Sequence, residues 1–303
     1  MRIIDFRKIT YIISGILVGG SLLVLLIWGL KLGIDFTGGS LLEVEYLPAQ
    51  AGISPRPENS AVLDSLAKIG INDAVLQPTG EKGLILRLPD VNEEKHQEIL
   101  TALGGPKIVI DKQFTSIGPT IGKELRRNSL WAILAVMLAI VAYIAWAFRH
   151  VSRPIASWKY GVAALIALVH DVTIPTGIFA ALGHFYGITV DTLFVTALLT
   201  ILGFSVHDTI VVFDRVRENL KKIGQRESFE EVVERSLRQT ITRSINTSLT
   251  VMFAMFALYI FGGLTTKYFA LTILVGVFFG TYSSIFIASF ILVTWHKFSL
   301  KRA

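Results

Sequence analysis

Six apolar runs punctuate the chain: Tyr11 to Leu30, Ser129 to Phe148, Tyr160 to Leu182, Thr192 to Phe213, Ser244 to Phe261 and Tyr268 to Trp295. Crossing about 30 Å of hydrocarbon takes about 20 apolar residues in a helix, since only a helix satisfies its own backbone there. Each run therefore predicts a membrane-spanning helix. The first is too long for the apolar part of a secretory signal, and no small-x-small cleavage pattern follows Leu30. The sixth is long enough to tilt or project. Gly15 with Gly19, and Gly276 with Gly280, have the small-xxx-small spacing that lets helices approach closely; both pairs are read as packing.

Between the first two runs the pattern changes. Over residues 31–128 charges reappear, prolines gather at Pro48, Pro55 and Pro57, and apolar runs shorten to strand length. Leu42 to Leu47 alternates as a strand after a Thr37-Gly38-Gly39 turn. Glu58 to Ile69 has helical spacing, and Ala74 to Gln77 and Leu84 to Leu88 read as strands flanking a Pro78-Thr79-Gly80 turn. Val91 to Leu103 predicts a helix with Asn92 as N-cap, stopped by Gly104-Gly105-Pro106, and Ile108 to Phe114 closes the order β-α-β-β-α-β. That order is the ferredoxin-like split βαβ. The expected fold is thus a six-helix membrane protein with one external α+β domain. His96, a lone histidine on a polar helix face, reads as a solvated surface residue.

Composition agrees with membrane residence: 52% of the 303 residues are hydrophobic and 17% charged, with a mean hydropathy of +0.58. The net charge of +6 does not point to nucleic acid, because the basic residues flank the apolar runs. Arg2, Arg7 and Lys8 precede the first; Arg149, Arg153 and Lys159 separate the second and third. Residues 214–243 hold Arg215, Arg217, Lys221, Lys222, Arg226, Arg235, Arg238 and Arg243, and Lys297, Lys301 and Arg302 follow the sixth. Residues 183–190 have no Lys or Arg. The expected orientation puts both termini in the cytoplasm and residues 31–128 outside. Lys123, Arg126 and Arg127 go against this bias, which binds long translocated loops only weakly. The segment 214–243 reads as a basic cytoplasmic connection containing an amphipathic helix at the interface. It would start at a Ser228/Glu231 capping box, with Phe229, Val233, Leu237 and Ile241 on one face.

Cysteine is absent, which excludes disulfides and thiolate chemistry. Gly118 to Glu124 has the wrong glycine spacing for a phosphate loop, no zinc-protease helix occurs, and no enzyme activity or cofactor other than the proton is expected.

The informative residues are acids inside apolar runs, each costing at least ~3 kcal/mol on insertion scales. Asp171 falls near the middle of the third run and Asp208 toward the cytoplasmic third of the fourth. A buried carboxyl and one beside a cation hold protons differently, so a movable arginine could switch proton occupancy. Arg243 stands immediately before an uncharged run of 23 residues, at a depth comparable with Asp208. One charge falling through 100 mV releases about 2.3 kcal/mol, enough for such a cycle to do work. Proton transfer through Asp208 and Arg243 is preferred to a static register-fixing bridge; for Asp171 the two readings stand level. His170 and His207 are read as hydrogen-bond donors that position the neighbouring carboxylates.

Several segments resemble the SecF family, subunits of the bacterial SecDF protein-export complex. They are Gly33-Ile34-Asp35-Phe36-Thr37-Gly38-Gly39, Leu168-Val169-His170-Asp171, the run from Ser205 to Asn219, and Gln239-Thr240-Ile241-Thr242-Arg243-Ser244. His207 stands where many relatives have asparagine. The resemblance implies half of a resistance-nodulation-division type transporter in the plasma (inner) membrane, paired with SecD. Asp208 and Arg243 would be its proton-transfer positions. It implies work with the SecYEG channel, and with YajC, on a translocating preprotein late in export, driven by the proton motive force. The rival expectations are half of a proton-coupled small-molecule exporter and a non-transporting membrane assembly factor. Membrane lipid, and not nucleic acid, is the expected surroundings.

Overall fold

In the computed structural model, residues 2–47, 56–149, 156–223 and 227–300 are described. Pro48, Pro55, Arg153, Arg226, Lys301 and Arg302 lie outside them. The chain divides into two compact units, Lys31–Leu130 with Thr189–Thr192, and the remainder.

In the larger unit a 3-10 turn, Ile3–Phe6, leads into α1 (Arg7–Trp28). Then follow α5 (Pro119–Ala147), α6 (Ser157–Tyr186), α7 (Thr192–Ile223), α8 (Phe229–Phe261), α9 (Leu264–Tyr282), a π-helical stretch Ser283–Ala288, and α10 (Ser289–Leu300). Among the described residues, six helical stretches are long and apolar enough to cross a membrane, the last combining α9, the π stretch and α10. This is a multi-pass membrane protein. About half or more of the apolar stretches of α6, α7 and the last helix is buried, whereas α1, α5 and α8 are largely exposed along theirs. In hydrocarbon, apolar burial does not drive association, so close packing and internal hydrogen bonds must hold the helices. Gly177 of α6 illustrates the first: a Cβ there would sit 2.4 Å from that of Ser21 on α1.

Several expectations need correction here. Residues 214–243 are not a loop carrying a separate interfacial helix: α7 continues to Ile223, and α8 runs unbroken from Phe229 past Arg243 to Phe261. The capping box does form, Ser228 Oγ accepting from the Glu231 amide and the Glu231 carboxylate from the Ser228 amide. Phe229, Val233 and Leu237 are buried in the helical core instead of lying on a lipid surface. Good helix formers join the cap to the span, and nothing in 229–261 breaks the pattern. The second correction is at Gly15 and Gly19, where a Cβ would meet nothing within 4 Å, so that pair packs against no helix among the described residues. Gly276, by contrast, lies against Ile201 of α7.

The smaller unit has α2 (Ile34–Thr37), β1 (Gly39–Tyr46), α3 (Asn59–Lys68), β2 (Val75–Thr79), β3 (Gly83–Leu88), α4 (Glu93–Ala102) and β4 (Val109–Ile117). The strands form one sheet in the order β2-β3-β1-β4, every neighbouring pair antiparallel, which is the ferredoxin-like arrangement. Alternate residues Leu42, Val44 and Tyr46 of β1 meet Leu84, Leu86 and Leu88 of β3 and the inner faces of α3 and α4 at Val62, Leu66 and Ile99. Asn92 caps α4 by accepting from the Lys95 amide. Pro78 and Thr79 lie within β2 and not in the turn; β2 is an edge strand, where a missing donor is tolerated. The third correction is His96, which is 3% exposed: its ring stacks on Phe114 at 3.9 Å and its Nδ1 lies 3.2 Å from Glu93. Its Nε2 is 3.1 Å from an Asp111 oxygen without the alignment of a hydrogen bond.

Residues 33–39 act as a backbone strap. The Gly33 amide donates to the Val190 carbonyl at 2.8 Å, and the Val190 amide to that of Lys31 at 2.9 Å. Asp35 accepts from both the amide (2.9 Å) and the hydroxyl (2.5 Å) of Thr192, the first residue of α7. Gly38 and Gly39 have φ of +78° and +121°, and a Cβ on Gly38 would come within 2.7 Å of Pro119.

Candidate functional site

Pro175 sits inside α6 and has no amide proton, so the helix bond to the carbonyl of Asp171 four residues earlier is missing. The Asp171 side chain is fully buried and accepts three hydrogen bonds: from Ser205 Oγ of α7 (2.5 Å), from Ser283 Oγ (2.7 Å) and with His170 Nδ1 (2.9 Å). Gly280 lets the helices come this close: a Cβ there would stand 3.2 Å from that of Ser205, a tight contact. The geometry also depends on the π stretch, whose extra residue per turn presents Ser283 and Ser284 inward together. Ser283 reaches Asp171, while Ser284 bonds to the Ser205 carbonyl (3.1 Å) and to Thr209 Oγ1 (2.9 Å). A polar seam thus runs from Asp171 to the residue beside Asp208.

Asp208 has different surroundings. It is 3% exposed, yet its Oδ2 has no hydrogen-bond partner among the described residues. Ser244 of α8 lies beside it without meeting hydrogen-bond geometry, and its own Oγ is also unpartnered. Arg243 and His207 are close enough for their charges to act on the carboxylate. Neither is paired with it: Arg243 is exposed and makes no ion pair among the described residues, and His207 is exposed as well. Arg243, singled out from the sequence, is exposed and not turned into this chain's own core.

The exposed residues around Asp208 form polar stripes. On α7 these are Thr196, Thr200, Gly203 and His207; on α8, Thr242, Arg243, Asn246 and Thr250. The three- and four-residue steps through Thr196, Thr200, Gly203 and His207, and through Arg243, Asn246 and Thr250, put each of these sets on one helix face. Exposed charge and amide groups at bilayer depth require protein or water opposite them. The carboxylate is thus buried within this chain, and the neighbouring exposed faces of α7 and α8 carry His207, Arg243 and Asn246. Asp171 thus has three hydrogen-bond partners within this chain, whereas one oxygen of Asp208 has none among the described residues.

Residues 97–298 match the family described as protein export membrane protein SecD/SecF, C-terminal, and residues 24–46 match the SecD/SecF GG motif. The chain belongs to the SecD/SecF family. The protein translocase subunit SecF of Thermobaculum terrenum is 44% identical over 312 residues, covering 97% of this chain and 94% of that protein. The corresponding SecF subunit of Anaerolinea thermophila is 40% identical over 300 residues, covering 98% and 94%. The protein translocase subunit SecDF of Thermus thermophilus is 35% identical over 276 residues, covering 88% of this chain and only 35% of its own length. A crystal structure of SecDF from that organism, described as a translocon-associated membrane protein, superposes with a TM-score of 0.81 at 31% identity. The match covers 98% of this chain and 39% of that one. The strap at residues 33–39 is this chain's GG motif, and its geometry accounts for the two glycines.

Sequence reasoning singled out Asp171, Asp208, Arg243, His170 and His207, and Gly280 as a packing residue, but missed Ser283, Ser284 and Pro175. The signal was present: hydroxyls in a lipid-length apolar run turn inward to find partners, and a proline there frees a carbonyl four residues back.

Proposed function

We propose that this chain is a SecF-type subunit of a protein translocase, pairing with a SecD-type subunit and using the proton motive force to promote late stages of preprotein movement across the plasma membrane. In this reading both termini are cytoplasmic and residues 31–128 are outside. The assembly works beside the SecYEG channel, with YajC as a further partner. The role is transport and not catalysis. The observation that carries it is the buried Asp208 carboxylate with an unpartnered oxygen, bordered by the exposed polar faces of α7 and α8. A membrane protein meant to stand alone would not present Arg243 and Asn246 to hydrocarbon. The Thermus thermophilus relative, in which SecDF is one chain, supports a SecD-type half as the covering partner.

Coupling follows from the chemistry. Asp208 takes a proton when Arg243 is turned away, and releases it when the two approach; entry and release on opposite sides convert the gradient into helix movement. The scale is about 2.3 kcal/mol per charge per 100 mV. Against a register-fixing bridge stands the lack of an Asp208–Arg243 ion pair among the described residues. The test is Asp208→Asn in the complex with its SecD-type partner, reconstituted into proteoliposomes. The expected result is loss of proton flux together with loss of gradient-stimulated preprotein export. Unaltered flux would refute the assignment.

A further inference from the structure

One groove in the helical unit does not reach Asp208, although His170, the partner of Asp171, is among its lining residues. It holds about 850 Å³ and lies between α1, α6 and α10, lined by Gly15, Val18, Ile166, Val169, Ile291 and Trp295 among others. Hydroxyls on its walls are occupied: Tyr11 bonds to Thr294 at 2.9 Å, and Ser14 donates to Tyr282 at 3.3 Å. A smaller recess of about 280 Å³ shares Tyr11, Thr294 and Phe298 with it, and is otherwise lined by Arg7, Lys8 and Lys297. An apolar trough therefore opens onto three cations.

Among the described residues, a single carboxylate pairs with them. Glu230 Oε1 accepts from Arg7 Nη1 at 3.3 Å and also from Lys297 Nζ, while Lys8 is exposed and has no ion pair among the described residues. Three cations against one carboxylate leave surplus positive charge. Trp295 packs edge-on against Trp158 at 5.1 Å and lies under Lys159 at 5.3 Å, the aromatic and basic pairing found at headgroup depth.

We propose that this groove binds one anionic phospholipid, with an acyl chain in the apolar trough and the phosphate at Arg7, Lys8 and Lys297. Basic recesses between membrane helices suit such headgroups. The rival occupant is a second transmembrane helix seated on Gly15 and Gly19; it would leave the cations unanswered unless it brought an acid, so charge favours the lipid.

The test uses the full chain in mild detergent, with native mass spectrometry after addition of dioleoylphosphatidylglycerol or dioleoylphosphatidylcholine. We expect one phosphatidylglycerol retained per chain, with a preference of about tenfold or more over phosphatidylcholine. Replacing Arg7, Lys8 and Lys297 by glutamine should bring retention down to the phosphatidylcholine level. Gly15→Leu should displace the acyl chain, and since a Cβ at Gly15 meets nothing within 4 Å it should leave helix content unchanged by circular dichroism. Glu230→Gln, which removes the competing carboxylate, should tighten retention. Equal retention of the two lipids, or phosphatidylglycerol binding indifferent to both the glutamine and the Gly15→Leu changes, would overturn the proposal. So would a chain dimer that Gly15→Leu dissociates.

Discussion

Asp171 accepts three hydrogen bonds inside the helical core, and each donor is a separate handle on it. Ser205→Ala or Ser283→Ala removes one bond to a buried acid and should cost about 1.5–3 kcal/mol, read as a lower thermal midpoint of the purified chain. The two share an acceptor, so the double variant should not show the sum. Asp208→Asn breaks no hydrogen bond at Oδ2, and its thermal midpoint should stay near that of the unmodified chain while proton-coupled export fails. Swapped outcomes, with Asp208 as the stability residue, would contradict the roles assigned to the two acids. Both aspartates were legible in the sequence because acids are costly in apolar runs. Their difference was not, since Ser205 and Ser283 are 34 and 112 residues away from Asp171 along the chain.

At the scale of elements, α8 joins what hydrophobicity alone divides into an interfacial helix and a span. Because the chain has no cysteine, spin labels at Arg235→Cys and Phe256→Cys would be unique. A single straight helix puts their backbones about 32 Å apart at 1.5 Å per residue. A markedly shorter distance would mean a bend near Arg243. The apolar period announces a helix on each side of 243, yet charge density there suggested a boundary; helix propensity and the Ser228 cap carry the helix through. The Asp35 cap on α7 is a second element-level feature. Asp35→Ala should destabilise that helix start by about 1 kcal/mol, visible as faster amide exchange at Thr192.

For the whole molecule, the exposed polar faces of α7 and α8 predict where a partner sits. In membranes containing the SecD-type subunit, Asn246→Cys and His207→Cys should cross-link to it, and Leu26→Cys on the lipid-like face of α1 should not. Cross-linking at all three positions alike, or at Leu26 alone, would remove the basis for a half-site at Asp208. The same exposure explains why this chain can bury only part of its helical surface: α1, α5 and α8 face outward along most of their apolar length.

Sequence by itself determined the six spans, the β-α-β-β-α-β order of the smaller unit and the identity of the acids, because each is written in local signals: run length, residue period, and the cost of charge in hydrocarbon. Tertiary structure alone decided that His96 is buried, that Gly276 and Gly280 pack against α7 while Gly15 borders a groove, and that Asp171 has three hydrogen-bond partners where an oxygen of buried Asp208 has none among the described residues. Those outcomes depend on which distant side chains arrive at the same place, and spacing within a single helix carries no record of that.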